Sequence, residues 1–260
     1  MTTLLQKELN KQVSYRRTFA IISHPDAGKT TMTEKLLLYG GAIRLAGSIK
    51  GRKTKKYAAS DWMEMERQRG ISITSSVLQF TYNGYHVNIL DTPGHQDFSE
   101  DTYRTLTAAD SALMIIDMAK GVEEQTLKLF KVCRMQGIPI FTFINKLDRH
   151  GREPLELLDE IENVLGIGSY PINWPVRSSG GSYGLYNRSL RKLELCQGGH
   201  INEVVPGNGL GLEDETVKNT LGDFMHQKLC EEIALLDGAG DNFELEKVRE
   251  GLLTPLFFGS

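Results

Sequence analysis

The chain has 260 residues, 40% of them hydrophobic, which is enough for one large core and too many for a small scaffold held by disulfides or a metal. A net charge of −3 with 24% charged residues excludes a protein that is basic throughout, so any contact with nucleic acid has to be local. Cys133, Cys196 and Cys230 stand far apart, without C-x-x-C spacing, and read as reduced thiols; no stretch approaches the roughly 20 apolar residues of a membrane span and the start lacks the apolar core of a secretory signal, so a cytoplasmic protein is expected.

Residues 1–17 read as a partly helical leader with Lys11, Arg16 and Arg17 near its end. Thr18 to Ile22 is an apolar run that predicts a strand, and Leu36, Leu37 and Leu38 belong to a helical pattern after Lys29. Between them lies Ser23-His24-Pro25-Asp26-Ala27-Gly28-Lys29-Thr30, which fits G-x-x-x-x-G-K-[ST] at every position but the first, where Ser23 replaces glycine. That pattern serves phosphate binding: small residues let backbone N–H groups close around phosphate oxygens, Lys29 brings a cation to the β and γ phosphates, and Thr30 offers Mg²⁺ a hydroxyl. The alternative is an ordinary strand-to-helix turn with a glycine at its bend.

The following segment carries a basic run, Lys50, Arg52, Lys53, Lys55 and Lys56, which is either a solvated loop or a contact for a phosphate backbone. Ser60 to Arg69 has helical composition, ended by Gly70 before the β-rich stretch Ile71 to Tyr82. Mg²⁺ takes six hard oxygen ligands, and Ser72 or Thr74 is the candidate for the one that phosphates, Thr30 and waters leave open. Asn83-Gly84 predicts a tight hairpin turn into a strand from Tyr85 to Leu90. That strand runs into Asp91-Thr92-Pro93-Gly94-His95. A carboxylate there can hold Mg²⁺ or its waters, the bare N–H of Gly94 can meet a γ-phosphate, and His95 can point a ring nitrogen at an attacking water.

Asp97 to Ala108 predicts a helix, Ser111 to Asp117 a strand buried on both faces, Glu123 to Met135 a helix and Ile138 to Ile144 another buried strand. The last of these delivers Asn145-Lys146-Leu147-Asp148, about 115 residues beyond the phosphate loop. A carboxylate at Asp148 can accept both the ring N–H and the exocyclic amine of guanine, a pair adenine cannot make. Lys146 can lay its stem on the base, and Asn145 can tie the base loop to the phosphate loop. After the amphipathic helix Glu153 to Leu165 the rhythm turns irregular and Gly-rich. Short strands are expected at Pro171 to Val176 and Leu190 to Cys196, a helix at Asp214 to Leu236, and a last strand only at Leu252 to Phe258. This reads as a small α+β insertion, about 167–250, with Trp174 and the aromatics near Tyr183 as its core, in a GTP-binding domain spanning 18–260. Gly259-Ser260 then falls in a loop that would touch the guanine through its backbone N–H groups, so a longer parent protein is expected.

Together ISHPDAGKTTMTEK, SDWMEMERQRGISIT, NILDTPGHQDFSEDTYRTLTAAD, FINKLDR and LTPLFFGS resemble the GTP-binding domain of the translational GTPases, and within them the branch acting in termination. Elongation factor G is similar at every nucleotide motif but typically has alanine at the position of Ser23, threonine at that of Ser72 and no tryptophan at that of Trp62. The resemblance implies a P-loop GTPase fold: a mostly parallel, twisted sheet with helices on both faces. It implies GTP or GDP and Mg²⁺ as ligands, with phosphates at Ser23, His24, Pro25, Asp26, Ala27, Gly28, Lys29, Thr30 and Thr31 and at Asp91, Thr92, Pro93 and Gly94. The metal would be held by Thr30, by Ser72 and, through water, by Asp91. His95 would position the water, and Asn145, Lys146, Asp148 and Ser260 would bind guanine. The implied activity is ribosome-stimulated GTP hydrolysis that drives class I release factors off the ribosome. Translocation of the elongation factor G kind, or nucleotide-gated ribosome binding with negligible hydrolysis, would use the same motifs. The full-length protein would meet the ribosome and class I release factors as a monomer, with the basic run 50–56 available to ribosomal RNA and the leader a solvated tail or a ribosome-facing arm.

Overall fold

The computed structural model describes residues 2–43, 76–92, 99–149, 151–177, 183–195, 209–239 and 242–260. It divides into two compact units, Met1–Ile115 with Glu124–Pro139, and Ile116–Glu123 with Ile140–Ser260.

In the first unit helix α1 spans Thr2–Ser14 and strand β1 Arg16–Ser23. The strand therefore begins two residues before the expected Thr18. Arg16 and Arg17, both exposed, extend the ladder opposite His86 and Val87, and the Arg17 guanidinium donates to the carbonyls of Ser14 and Arg16 and lies 4.7 Å from the centre of the Tyr85 ring. Helix α2 is Lys29–Tyr39. Strands β2, Ser76–Tyr82, and β3, Tyr85–Asp91, form an antiparallel hairpin closed at Asn83-Gly84. After helix α3, Ser99–Leu106, comes β4, Ser111–Asp117, and then helix α4, Glu124–Met135. Adjacent strands run in the order β2-β3-β1-β4, with β1 parallel to both β3 and β4. Ala20, Ile21 and Ile22 of β1 are fully buried, as are Ile89 of β3 and Ala112, Met114 and Ile115 of β4. These continuous apolar runs suit strands covered on both sides.

In the second unit β5 is Ile140–Asn145, helix α5 Pro154–Leu165 and β6 Gly168–Pro171. Proline at the start of α5 needs no N–H donor there, and Leu157, Ile161 and Leu165 recur at four-residue spacing as its buried stripe. Strands β7, Asn173–Arg177, β8, Tyr183–Asn187, and β9, Lys192–Leu195, make a separate antiparallel sheet in the order β7-β8-β9. Helices α6, Glu215–Leu221, α7, Asp223–Ala239, and α8, Leu245–Arg249, precede β10, Leu253–Phe258. Strand β10 lies between β5 and β6 and is parallel to both. The α/β class with a mostly parallel sheet is thus what the chain adopts.

Three local expectations change. The strand expected at Pro171 to Val176 is two strands: Ile172 donates its N–H to Leu256 while accepting from Arg188, so the chain leaves one sheet and enters another at that residue. The strand expected at Leu190 to Cys196 is the shorter β9, with Leu190 exposed in the turn before it, and its hairpin partner β8 is a strand not expected because its periodicity is hidden in YGLYN. The helix expected at Asp214 to Leu236 is two helices, because Gly222 at φ 79° and ψ 155° lies outside any helical conformation. Trp174 and Tyr186 are nevertheless buried as core, with Trp174 edge-on to Phe258 and its indole N–H donating to Glu232 at 2.8 Å. Among the described residues no helix is long and apolar enough to cross a membrane.

Candidate functional site

In the first unit the parallel strands β1 and β3 deliver Ser23 and Asp91 at their carboxyl ends, where open α/β sheets bind ligands. The chain between Ser23 and Lys29 makes a turn closed by the Ala27 N–H donating to the carbonyl of His24 at 3.3 Å. Asp26 has φ 65° and Gly28 φ 101°, so two left-handed residues flank Ala27. Such alternation turns successive N–H groups toward one side, and a residue with a Cβ would be strained at the φ of Gly28. Gly28 caps α2 without a side-chain acceptor, leaving the first-turn amides to whatever anion the loop takes.

Lys29 is buried, and its ammonium donates to Asp91 Oδ1 at 2.5 Å. Thr92 donates its hydroxyl to the carbonyl of Ile21 at 2.6 Å, anchoring the end of β3 to β1. The buried oxygens Ser23 Oγ and Asp91 Oδ2 have no hydrogen-bond partner among the described residues. Buried polar oxygens are ordinarily paired, so these two single out the loop as a place for a polar occupant. Thr30 is half-buried and Thr31 exposed on the first turn of α2. The structure therefore brings the loop Ser23 to Thr31 together with Asp91 and Thr92. Pro93, Gly94, His95, Ser72, Thr74, Trp62 and the basic run 50–56 lie outside the described residues.

In the second unit β5 ends at Asn145, whose side-chain oxygen accepts the Lys146 N–H at 2.9 Å. Lys146 sits at φ 69°, an uncommon conformation for a residue with a Cβ. The Leu147 N–H donates to Gly259 and the Gly259 N–H to Ile144, so the loop after β5 and the loop after β10 hold each other. Ser260 then donates its hydroxyl to Asp148 Oδ1 at 2.6 Å. Asn145, Lys146, Asp148 and Ser260 thus form one cluster, in which the Ser260 side chain meets the Asp148 carboxylate.

Asp117, the last residue of β4, also stands in this cluster. Its Oδ2 accepts from the Lys146 ammonium at 2.6 Å and its Oδ1 from the Ala119 N–H at 2.9 Å. Burial pushes the Asp117 carboxyl up, but the Lys146 hydrogen bond, the Ala119 amide and the charges of Lys146 and Lys120 outweigh it and hold the group below the usual carboxylate range. The only signal in the sequence was a carboxylate closing the apolar run SALMIID. Burial pushes the Cys133 thiol up to about 12, which removes it as a nucleophile. Among the described residues no cluster of three or more His, Cys, Asp or Glu could hold a metal without further ligands.

Residues 14–257 match the family described as elongation factor Tu GTP binding domain. Similar curated proteins include peptide chain release factor 3 of Symbiobacterium thermophilum, 60% identical over 97% of this chain and 48% of that protein. The protein of the same name from Cyanothece is 56% identical over 100% of this chain and 48% of its own length. The chain spans about half the length of the curated relatives it matches. A crystal structure of a Thermus thermophilus protein superposes with a TM-score of 0.71 at 25% identity, covering 94% of this chain and 37% of that one.

Proposed function

The chain belongs to the family of elongation factor Tu GTP-binding domains, and from that premise we propose that it is the GTP-hydrolysing domain of a termination factor that releases class I release factors from the ribosome. The observation that carries this reading is the near-complete match of the chain to proteins named peptide chain release factor 3. In this reading 18–260 is the GTP-binding domain and about 167–250 an inserted subdomain. The separate sheet β7-β8-β9 supports the insertion, although β6 at its start pairs with β10.

The backbone of Ser23 to Thr31 cradles the phosphates and the Lys29 ammonium, beside Asp91, meets their β and γ oxygens. The unpartnered Asp91 Oδ2 and the hydroxyl of Thr30 are hard oxygens of the kind Mg²⁺ takes, with Ser72 as a further hydroxyl and Asp91 acting through water. Held by those oxygens, Mg²⁺ would supply positive charge to offset the negative charge of the phosphates. Thr92 holds the end of β3; Pro93 and Gly94 are assigned to binding the γ-phosphate and His95 to positioning the attacking water. That water's oxygen bonds to the γ-phosphorus as the bond to the bridging oxygen of GDP breaks, and its proton leaves with the released phosphate. Asn145, Lys146, Asp148 and Ser260 bind the base. Turnover is expected to be slow until the ribosome completes the site. The protein then works in the cytoplasm as a monomer, with the basic run 50–56 facing ribosomal RNA.

The test follows a labelled class I release factor on post-termination ribosomes, using the longer parent protein with GTP and a His95→Ala variant as the arm that binds nucleotide without turnover. Faster dissociation with the wild type and no ribosome-stimulated hydrolysis in the variant are expected. Translocation in place of dissociation would overturn the termination reading, and undiminished hydrolysis by the variant would overturn the role of His95.

A further inference from the structure

Lys146 is held at both ends. Its backbone, at φ 69°, is fixed by the Asn145 side chain accepting its N–H. Its ammonium, which in a solvated lysine would swing freely, is fixed by Asp117 at 2.6 Å, with side-chain exposures of only 16% and 6%. A lysine normally loses much rotamer freedom when one geometry is imposed on it, so a stem tethered beforehand binds a flat ligand with less ordering still to come.

Asp117 is itself held firmly. Its Oδ1 accepts from Ala119, its carbonyl accepts from Lys120 and Gly121, and the neighbouring Met118 exchanges backbone bonds with the base loop, donating to Asn145 at 3.0 Å and accepting from Arg152 at 3.3 Å. The turn after β4 is therefore stapled to the loop after β5, independently of the ion pair. We propose that Asp117 is a positioning residue of the guanine site, fixing the Lys146 ammonium so that the lysine stem is laid out for the base. The proposal rests on the reading of Asn145 to Asp148 as the guanine site and adds to it a residue outside that tetrapeptide.

Asp117→Asn is the informative variant. Its amide oxygen can still accept from Ala119, which turns its NH₂ toward the Lys146 ammonium, donor against donor. GDP dissociation is measured for the wild type, Asp117→Asn, Lys146→Met and the double variant, alongside the thermal midpoint of each nucleotide-free protein. Loss of one charge-assisted bond should speed GDP release about tenfold in Asp117→Asn. The double variant should release GDP no faster than Lys146→Met, because Asp117 acts only through the lysine. Wild-type release by Asp117→Asn, or multiplied effects in the double variant, would overturn the proposal. So would a slowed or quickened release that merely tracks a fallen thermal midpoint. A wild type that holds ADP as well as GDP would instead bring down the guanine reading, and the proposal with it.

Discussion

At the scale of single residues, the cluster proposed to bind the base turns on the Asp148 carboxylate. Ser260 donates to one of its oxygens, which orients the carboxylate plane, and the loop around it is held by Leu147 and Gly259. If both carboxylate oxygens pair with the ring and exocyclic N–H groups of guanine, Asp148→Asn presents an amide donor where an acceptor is needed. Xanthine carries an oxygen at that exocyclic position. The variant should therefore lose most of an about 10⁴-fold selectivity for guanine and gain affinity for xanthosine diphosphate, read from competitive binding of the two nucleotides. Retained preference for GDP would refute the assignment.

At the scale of elements, helix α7 is tied to the β6–β8 region by one buried guanidinium. Arg188 donates to the carbonyls of Pro171 and Leu236 and to Asp237 Oδ1, and it lies 4.6 Å from the centre of the Tyr170 ring. Burial pushes the Asp237 carboxyl up, but the hydrogen bond from Arg188 and the charges of Arg191 and Arg188 outweigh it, so its pKa falls below the ordinary 3.8. A carboxyl depressed in the folded state stabilises it fully above the unfolded value, and that contribution is lost as pH falls through the folded value. Asp237→Ala should cost about 1 to 2 kcal/mol at pH 7, discounted because Asp237 is partly exposed, and the gap to wild type in denaturant titrations should close below pH 3.8. A gap of unchanged size in acid would show that the ion pair contributes nothing and that the loss comes from packing.

At the scale of the whole molecule, membership of a GTP-binding family carries a thermodynamic consequence. A ligand that binds only the folded state stabilises it by RT ln(1 + [L]/Kd), about 2.7 kcal/mol at a hundredfold excess over Kd, which for a chain of this size corresponds to roughly 5 to 10 °C in the thermal midpoint. GDP should raise the midpoint by that amount and ADP should not. An equal rise with both nucleotides would mean that the binding energy comes from the phosphates alone, with no contribution from the base cluster.

The loop after β1, the loop after β5 and the α/β alternation were legible because each depends on neighbours in the chain. A left-handed Gly28 between a buried strand and a helix, or Asn145 at the end of an apolar run, is dictated by local backbone chemistry and hydrophobic period. Strand register decided the rest. Asp117 reaches Lys146 across 29 residues because the turn after β4 is bonded to the end of β5, and Ser260 reaches Asp148 across 112 because β10 lies beside β5. The change of sheet at Ile172 likewise depends on a carbonyl far along the chain, that of Leu256 in β10. Periodicity says that a segment is buried and extended. Which edge it pairs with, and which distant polar groups that pairing brings together, is settled by the packing of the whole unit.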